Sequence, residues 1–147
     1  MPTAREIESA LYALAPKALA AEWDNVGLLV GDGDREVRRV LVALDVTEAV
    51  AEEAGRIGAG LIVAHHPVVF HPAKSVTDRD PAGRLLLRLI RSETAAVCMH
   101  TNLDAARGGV NDALAAALGL EHAAPAAEGG IERVGTFPEA MALPDFL

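Results

Sequence analysis

The 147-residue chain has the length of one domain, and 51% hydrophobic residues with a mean hydropathy of +0.23 are ample for a core. A net charge of −8 and a pI near 5.0 oppose nonspecific binding to phosphate backbones, and 3% aromatic content removes the stacking platforms of a single-strand nucleic-acid binder. A single cysteine, Cys98, excludes an intrachain disulfide; its apolar setting predicts a buried thiol in a reducing compartment.

In chain order, Ile7, Leu11 and Leu14 recur at helical spacing behind a Thr3 N-cap with Glu6 three residues on, which predicts a helix over 3–14. Pro16 ends it. Residues 26–30, bounded by Gly27 and Gly31-Asp32-Gly33, read as a short strand, and Arg35, Arg38 and Arg39 as a solvated turn. A second strand over 40–44 leads into a helix over 47–57 closed by Gly58-Ala59-Gly60. The apolar run Leu61-Ile62-Val63-Ala64 is a third strand. Residues 70–80 form a loop, and Pro81 suits the first turn of a helix through Leu85, Leu86, Leu89 and Ile90. Residues 95–99 are a fourth strand. Gly108-Gly109 introduces a helix over 110–118, with Gly119 where a C-cap is expected. Residues 121–130, rich in Ala, Pro, Glu and Gly, predict a flexible loop or linker, and 131–137 one more strand. This alternation predicts a single α/β domain over 1–147, with a mainly parallel or mixed sheet and helices on both faces.

The chemistry concentrates where two of these strands end. His65 and His66 follow the third strand and precede Pro67, at the carboxyl edge of the sheet, where open α/β folds place ligands. Successive strand side chains point to opposite faces, so the pair is expected to serve two ions rather than converge on one. The fourth strand runs into His100-Thr101-Asn102-Leu103-Asp104, which puts Asp104 at a strand-to-helix junction on the same edge. A carboxylate with imidazoles suits Zn²⁺, Mn²⁺, Fe²⁺, Co²⁺ or Ni²⁺. The plainer alternatives are a packed histidine and a helix-capping aspartate.

The segments Glu22-Trp23-Asp24-Asn25-Val26-Gly27-Leu28, Leu44-Asp45-Val46-Thr47, Ala64-His65-His66-Pro67, and Thr101-Asn102-Leu103-Asp104 through Gly108-Gly109-Val110-Asn111 occur in an order and spacing that resembles the Nif-three-like dinuclear-metal proteins, often described as type-two GTP cyclohydrolase I homologues. The resemblance implies up to two divalent ions per chain, His65 and His66 on different ions, and Asp104 as a further ligand. It also implies ring-like homo-oligomers and a nucleotide or phosphorylated small molecule as substrate. The family's later His-x-x-x-Glu helix has no counterpart here, because none of the five histidines has Glu four residues on. The match covers the amino-terminal half of a typical member, so further donors are expected from elsewhere.

Two ions need about eight or more donors, and His65, His66 and Asp104 supply a minority. Asp45, at the end of the second strand, is the best supplement, either supporting a ligand or substrate or capping the helix near Thr47. His100 is a weaker candidate because Thr101 and Asn102 suggest a loop, and His71 beside Pro72 reads as a plain loop residue. Asn25 and Trp23 fit either a pocket lining or a simple turn with a packed indole. Gly108-Gly109 either offers amides to a substrate phosphate or eases a tight turn. A metal-dependent hydrolase-like protein is expected, with a noncatalytic metal-binding regulatory or interaction module as the competing class. The amino terminus lacks a signal-peptide core and no apolar run suits a bilayer, so the expected setting is cytoplasmic, without membrane or nucleic-acid partners.

Overall fold

A computed structural model describes residues 1–140 together with 142 and 144; the last residues of the predicted domain, 145–147, lie outside the described residues. The elements are α1 (Ala4–Leu14), β1 (Gly27–Val30), β2 (Val40–Ala43), α2 (Glu48–Ile57), β3 (Leu61–Ala64), α3 (Pro81–Arg91), β4 (Ala95–Cys98), α4 (Thr101–Ala105), α5 (Val110–Ala117), β5 (Glu121–Pro125) and β6 (Arg133–Thr136), with a 3-10 turn at Lys17–Leu19.

Local signals place the helices. Thr3 and Glu6 form a reciprocal capping box, the Glu6 amide donating to Thr3 Oγ1 at 3.2 Å and the Thr3 amide to Glu6 Oε2 at 2.8 Å. Thr47 caps α2 by accepting from the Val50 amide, and Gly58, at φ 67°, ends that helix. Asp80 caps α3 through the Gly83 amide, with Pro81 in the first turn.

The main sheet has the order β1-β4-β3-β2. Strands β2, β3 and β4 are parallel, and β1 is antiparallel to β4, so the sheet is mixed. Ile62, Ala64, Ala96 and Cys98 face one layer, packed against Ala51 and Ala54 of α2 and Leu89 of α3. Leu61, Ala95 and Val97 face the other, against Ala4, Ile7 and Leu11 of α1. Helices thus cover both faces, and each fully buried Leu, Ile or Val contributes about 1.5–3 kcal/mol. Among the described residues no helix is long and apolar enough to cross a membrane.

One expectation is corrected. Residues 121–125, read as the start of a flexible loop or linker, form β5 and pair antiparallel with β6. Every residue of β5 is exposed, which explains its polar, linker-like composition. The hairpin is docked by Arg133, whose guanidinium reaches Asp112 and the carbonyls of Ala105 (3.1 Å), Ala106 (3.2 Å) and Ile131 (3.0 Å). Asp112 also accepts from the Gly108 amide at 2.5 Å; Arg133 first and then that amide hold its carboxyl below the usual range.

Candidate metal centre

Parallel pairing sets the site. Ala43, Ala64 and Cys98 are in register at the carboxyl ends of β2, β3 and β4, so the residues that follow each strand share one edge. Asp45 follows β2, His65 and His66 follow β3, and His100 follows β4.

The rings of the neighbouring histidines lie together, although successive side chains of a continuing strand would point apart. The strand ends at Ala64, and the amides of His65 and His66 both donate to the Leu44 carbonyl, at 3.2 and 2.9 Å. The chain is bending there, and the period of two no longer applies. Ring centroids are 5.1 Å apart for His65–His66, 5.1 Å for His65–His100 and 5.8 Å for His66–His100. One ring nitrogen from each of the three lies within 4.8 Å of the others. His100 therefore belongs to the cluster rather than to its surroundings. The predicted loop at Thr101 and Asn102 is in fact the first turn of α4, with His100 as its N-cap and its carbonyl accepting from the Asp104 amide at 3.1 Å.

Nδ1 of each ring is tied down. Nδ1 of His65 faces the Met99 carbonyl at 2.9 Å, Nδ1 of His66 faces Asp45 Oδ1 at 2.7 Å, and Nδ1 of His100 faces Asp24 Oδ1 at 2.9 Å. A carbonyl or carboxylate only accepts, so each Nδ1 donates, and in the neutral form of such a ring the lone pair lies on Nε2. This is the arrangement that metal-bound histidines need: the outer acceptor sets the tautomer and the ring angle. Donors of a tetrahedral Zn²⁺ stand roughly 3.3 Å apart, from Zn–N bonds of about 2.0–2.1 Å, which the 4.8 Å limit accommodates. The donor set fits a divalent metal ion. Asp104 Oδ1 stands 3.6 Å from His65 Nε2, beside the cluster.

Asp24, not singled out from the sequence, is the best-shielded member of the site, its side chain 0% exposed. Burial pushes its carboxyl up, but donors from the Thr101 hydroxyl (2.5 Å), His100 and the Thr101 and Asn25 amides outweigh that and hold it below the usual range. Its signal was position: every ligand histidine needs an outer acceptor, and only tertiary contact shows which residue serves. Asp45 meets His66, while the capping role weighed for it falls to Thr47. Asn25 donates from Nδ2 to the Val69 carbonyl at 2.6 Å and lies outside the imidazole cluster. His71 packs on Phe70 at 4.7 Å in the loop. At Gly109 a Cβ would lie 1.9 Å from the Leu103 carbonyl oxygen, and the Gly108 amide already serves Asp112, so the glycine pair is a close-packed turn.

A family model covers the chain that carries this site. DUF34/NIF3 (NGG1p interacting factor 3) matches residues 2–147. The chain belongs to the DUF34/NIF3 family. Over 107 residues it is 47% identical to the GTP cyclohydrolase 1 type 2 homolog of Halalkalibacterium halodurans, covering 73% of this chain and 29% of that protein. A Bacillus cereus protein related to NIF3 superposes with a TM-score of 0.82 at 44% identity, over 86% of this chain and 35% of that one. Reduced HcgD from Methanocaldococcus jannaschii superposes with a TM-score of 0.86 at 35% identity, over 98% and 57%. The chain spans less than two thirds of the length of each of these.

Cys98 lies beneath the His65-His66 turn, its Sγ 3.4 Å from the His66 carbonyl, and it is fully buried. Burial pushes the thiol up to about 11. At pH 8 about one thiol in a thousand is then ionised, and only the thiolate is nucleophilic. A thiol-reactive chromogenic reagent at pH 8 is expected to label no native chain and one site per unfolded chain. Rapid labelling of the native protein would show that Cys98 is accessible after all.

Proposed function

We propose that the chain holds divalent metal at the His65–His66–His100 cluster and serves hydrolase-like chemistry on a nucleotide or phosphorylated small molecule. The observation that carries this reading is the ring orientation: three imidazoles, each with Nδ1 engaged by an acceptor and one nitrogen of each gathered within 4.8 Å. Imidazoles with the Asp104 carboxylate nearby suit Zn²⁺, Mn²⁺, Fe²⁺, Co²⁺ or Ni²⁺, up to two per chain. Such an ion supplies Lewis acidity toward a substrate oxygen or a water.

The protein's own part is positional. Met99, Asp45 and Asp24 fix the three rings, and α4 carries Asp104 against His65. Asp24 and Asp45 are committed to His100 and His66, so neither is a free general base. That commitment favours a second reading, a metal-binding module without turnover. Self-association belongs to either reading: β2 is a sheet edge, with Val42 76% exposed. The relatives' name, GTP cyclohydrolase 1 type 2 homolog, supports a nucleotide among the substrates to be tried.

The test is turnover by metal-reconstituted chain on a panel of nucleotides and phosphomonoesters, with His66→Ala in parallel. Hydrolysis that disappears in the variant, with the circular dichroism spectrum unchanged, is expected. Equal rates in both would place any activity elsewhere, and a loaded wild type without turnover would leave the module.

A further inference from the structure

The turn Trp23-Asp24-Asn25 uses three consecutive side chains in three ways. Asp24 holds His100. Asn25 grips the Val69 carbonyl and so fixes the residue before Phe70. Trp23 is left 64% exposed, meeting Phe70 edge-on at 6.0 Å with 70° between the ring planes. Phe70, itself 39% exposed, stands 6.3 Å from the His100 ring at 87°. The two aromatic rings therefore form an open corner contiguous with the imidazole cluster.

Folding alone does not account for this corner. Tryptophan contributes most when buried, and a buried indole N–H finds a partner. The chain's one tryptophan is mostly in water, and its indole N–H makes no hydrogen bond among the described residues. In a chain with 3% aromatics, two of them are held by specific hydrogen-bonded turns at the edge of the candidate metal centre.

We propose that Trp23 and Phe70 are a stacking rim for one planar nitrogen-heteroaromatic ring, of the purine class, whose polar end reaches the imidazole cluster. An offset stack on the indole face with a T-shaped contact to Phe70 suits the quadrupoles of all three rings, and the free indole N–H can donate to a ring nitrogen or oxygen. Two aromatic side chains make room for a single ring, not a strand, and the net charge of −8 repels a polyanion. The proposal deepens the metal-site reading and rests on it only for the ligand's polar end.

Because Trp23 is the sole tryptophan, its emission reports on the rim directly. Guanosine 5′-monophosphate titrated into the metal-loaded and metal-free chain is expected to change that emission saturably, and ribose 5-phosphate, which lacks the ring, is expected not to. Phe70→Ala should weaken the nucleotide's Kd by about 2- to 12-fold, the range for loss of one edge-to-face aromatic contact, with metal content and circular dichroism unchanged. No saturable change with the nucleotide, equal binding of ribose 5-phosphate by calorimetry, or an unchanged Kd in Phe70→Ala would overturn the rim. The two readings fail separately: metal uptake without a nucleotide response sinks the rim alone, and a nucleotide response in a chain that takes up no metal sinks the metal centre alone.

Discussion

Replacing His65 and His66 together by alanine will leave the chain unable to retain metal. Wild-type protein loaded with Zn²⁺ or Co²⁺ and dialysed is expected to keep at least about one equivalent by elemental mass spectrometry, because three imidazoles are gathered together and each ring is held at Nδ1 by an outer acceptor. The double variant keeps one imidazole of the cluster and should retain essentially none. A graded variant separates ligand from support. Asp24→Asn leaves all three imidazoles but replaces the carboxylate that orients His100, so affinity should fall by roughly 10- to 100-fold. Equal metal in wild type and double variant would mean that the cluster is a packed polar turn and that bound ions sit elsewhere.

Asn102→Leu will be the most damaging single change away from the donors. Asn102 is fully buried in α4; its Nδ2 donates to the Ala15 carbonyl at 2.8 Å, beyond the end of α1, and its Oδ1 accepts from the His100 amide at 3.0 Å. Leucine matches the branching but is bulkier, and it leaves a buried carbonyl and a part-buried amide without their partners, each costing about 1–3 kcal/mol. A loss of about 3 kcal/mol in urea unfolding is expected, with Tm lower by roughly 6–12 °C for a chain of this size. Since the same side chain anchors the His100 backbone, metal retention should fall as well. Stability within about 0.5 kcal/mol of wild type would show that water or rearranged backbone satisfies both groups.

Elements whose cause is local were readable residue by residue. Thr3 with Glu6, Thr47, Pro81 and Gly58 act within a turn of their own position, so the limits of α1, α2 and α3 follow from spacing alone. The position of His65 and His66 just beyond an apolar strand was equally legible, because a strand of Leu, Ile and Val that meets Pro has to stop. The DUF34/NIF3 relationship was carried by four segments whose order a sequence displays in full.

What tertiary structure decided is what depends on distant partners. Strand alternation separates His65 from His66 only while the strand lasts, and the Leu44 carbonyl, which captures both amides, turns the chain so that the rings meet. Asp24 lies 76 residues from His100, and no spacing rule links an aspartate in a loop to that imidazole. The antiparallel placement of β1 and the docking of β5 and β6 through Arg133 likewise come from long-range contacts that composition does not encode. The amino-acid sequence by itself determined α1, α2, α3 and α5, the ends of the parallel strands and the candidate donor types; only folding, by choosing a hydrogen-bond acceptor for each imidazole, decided that three histidines face one another.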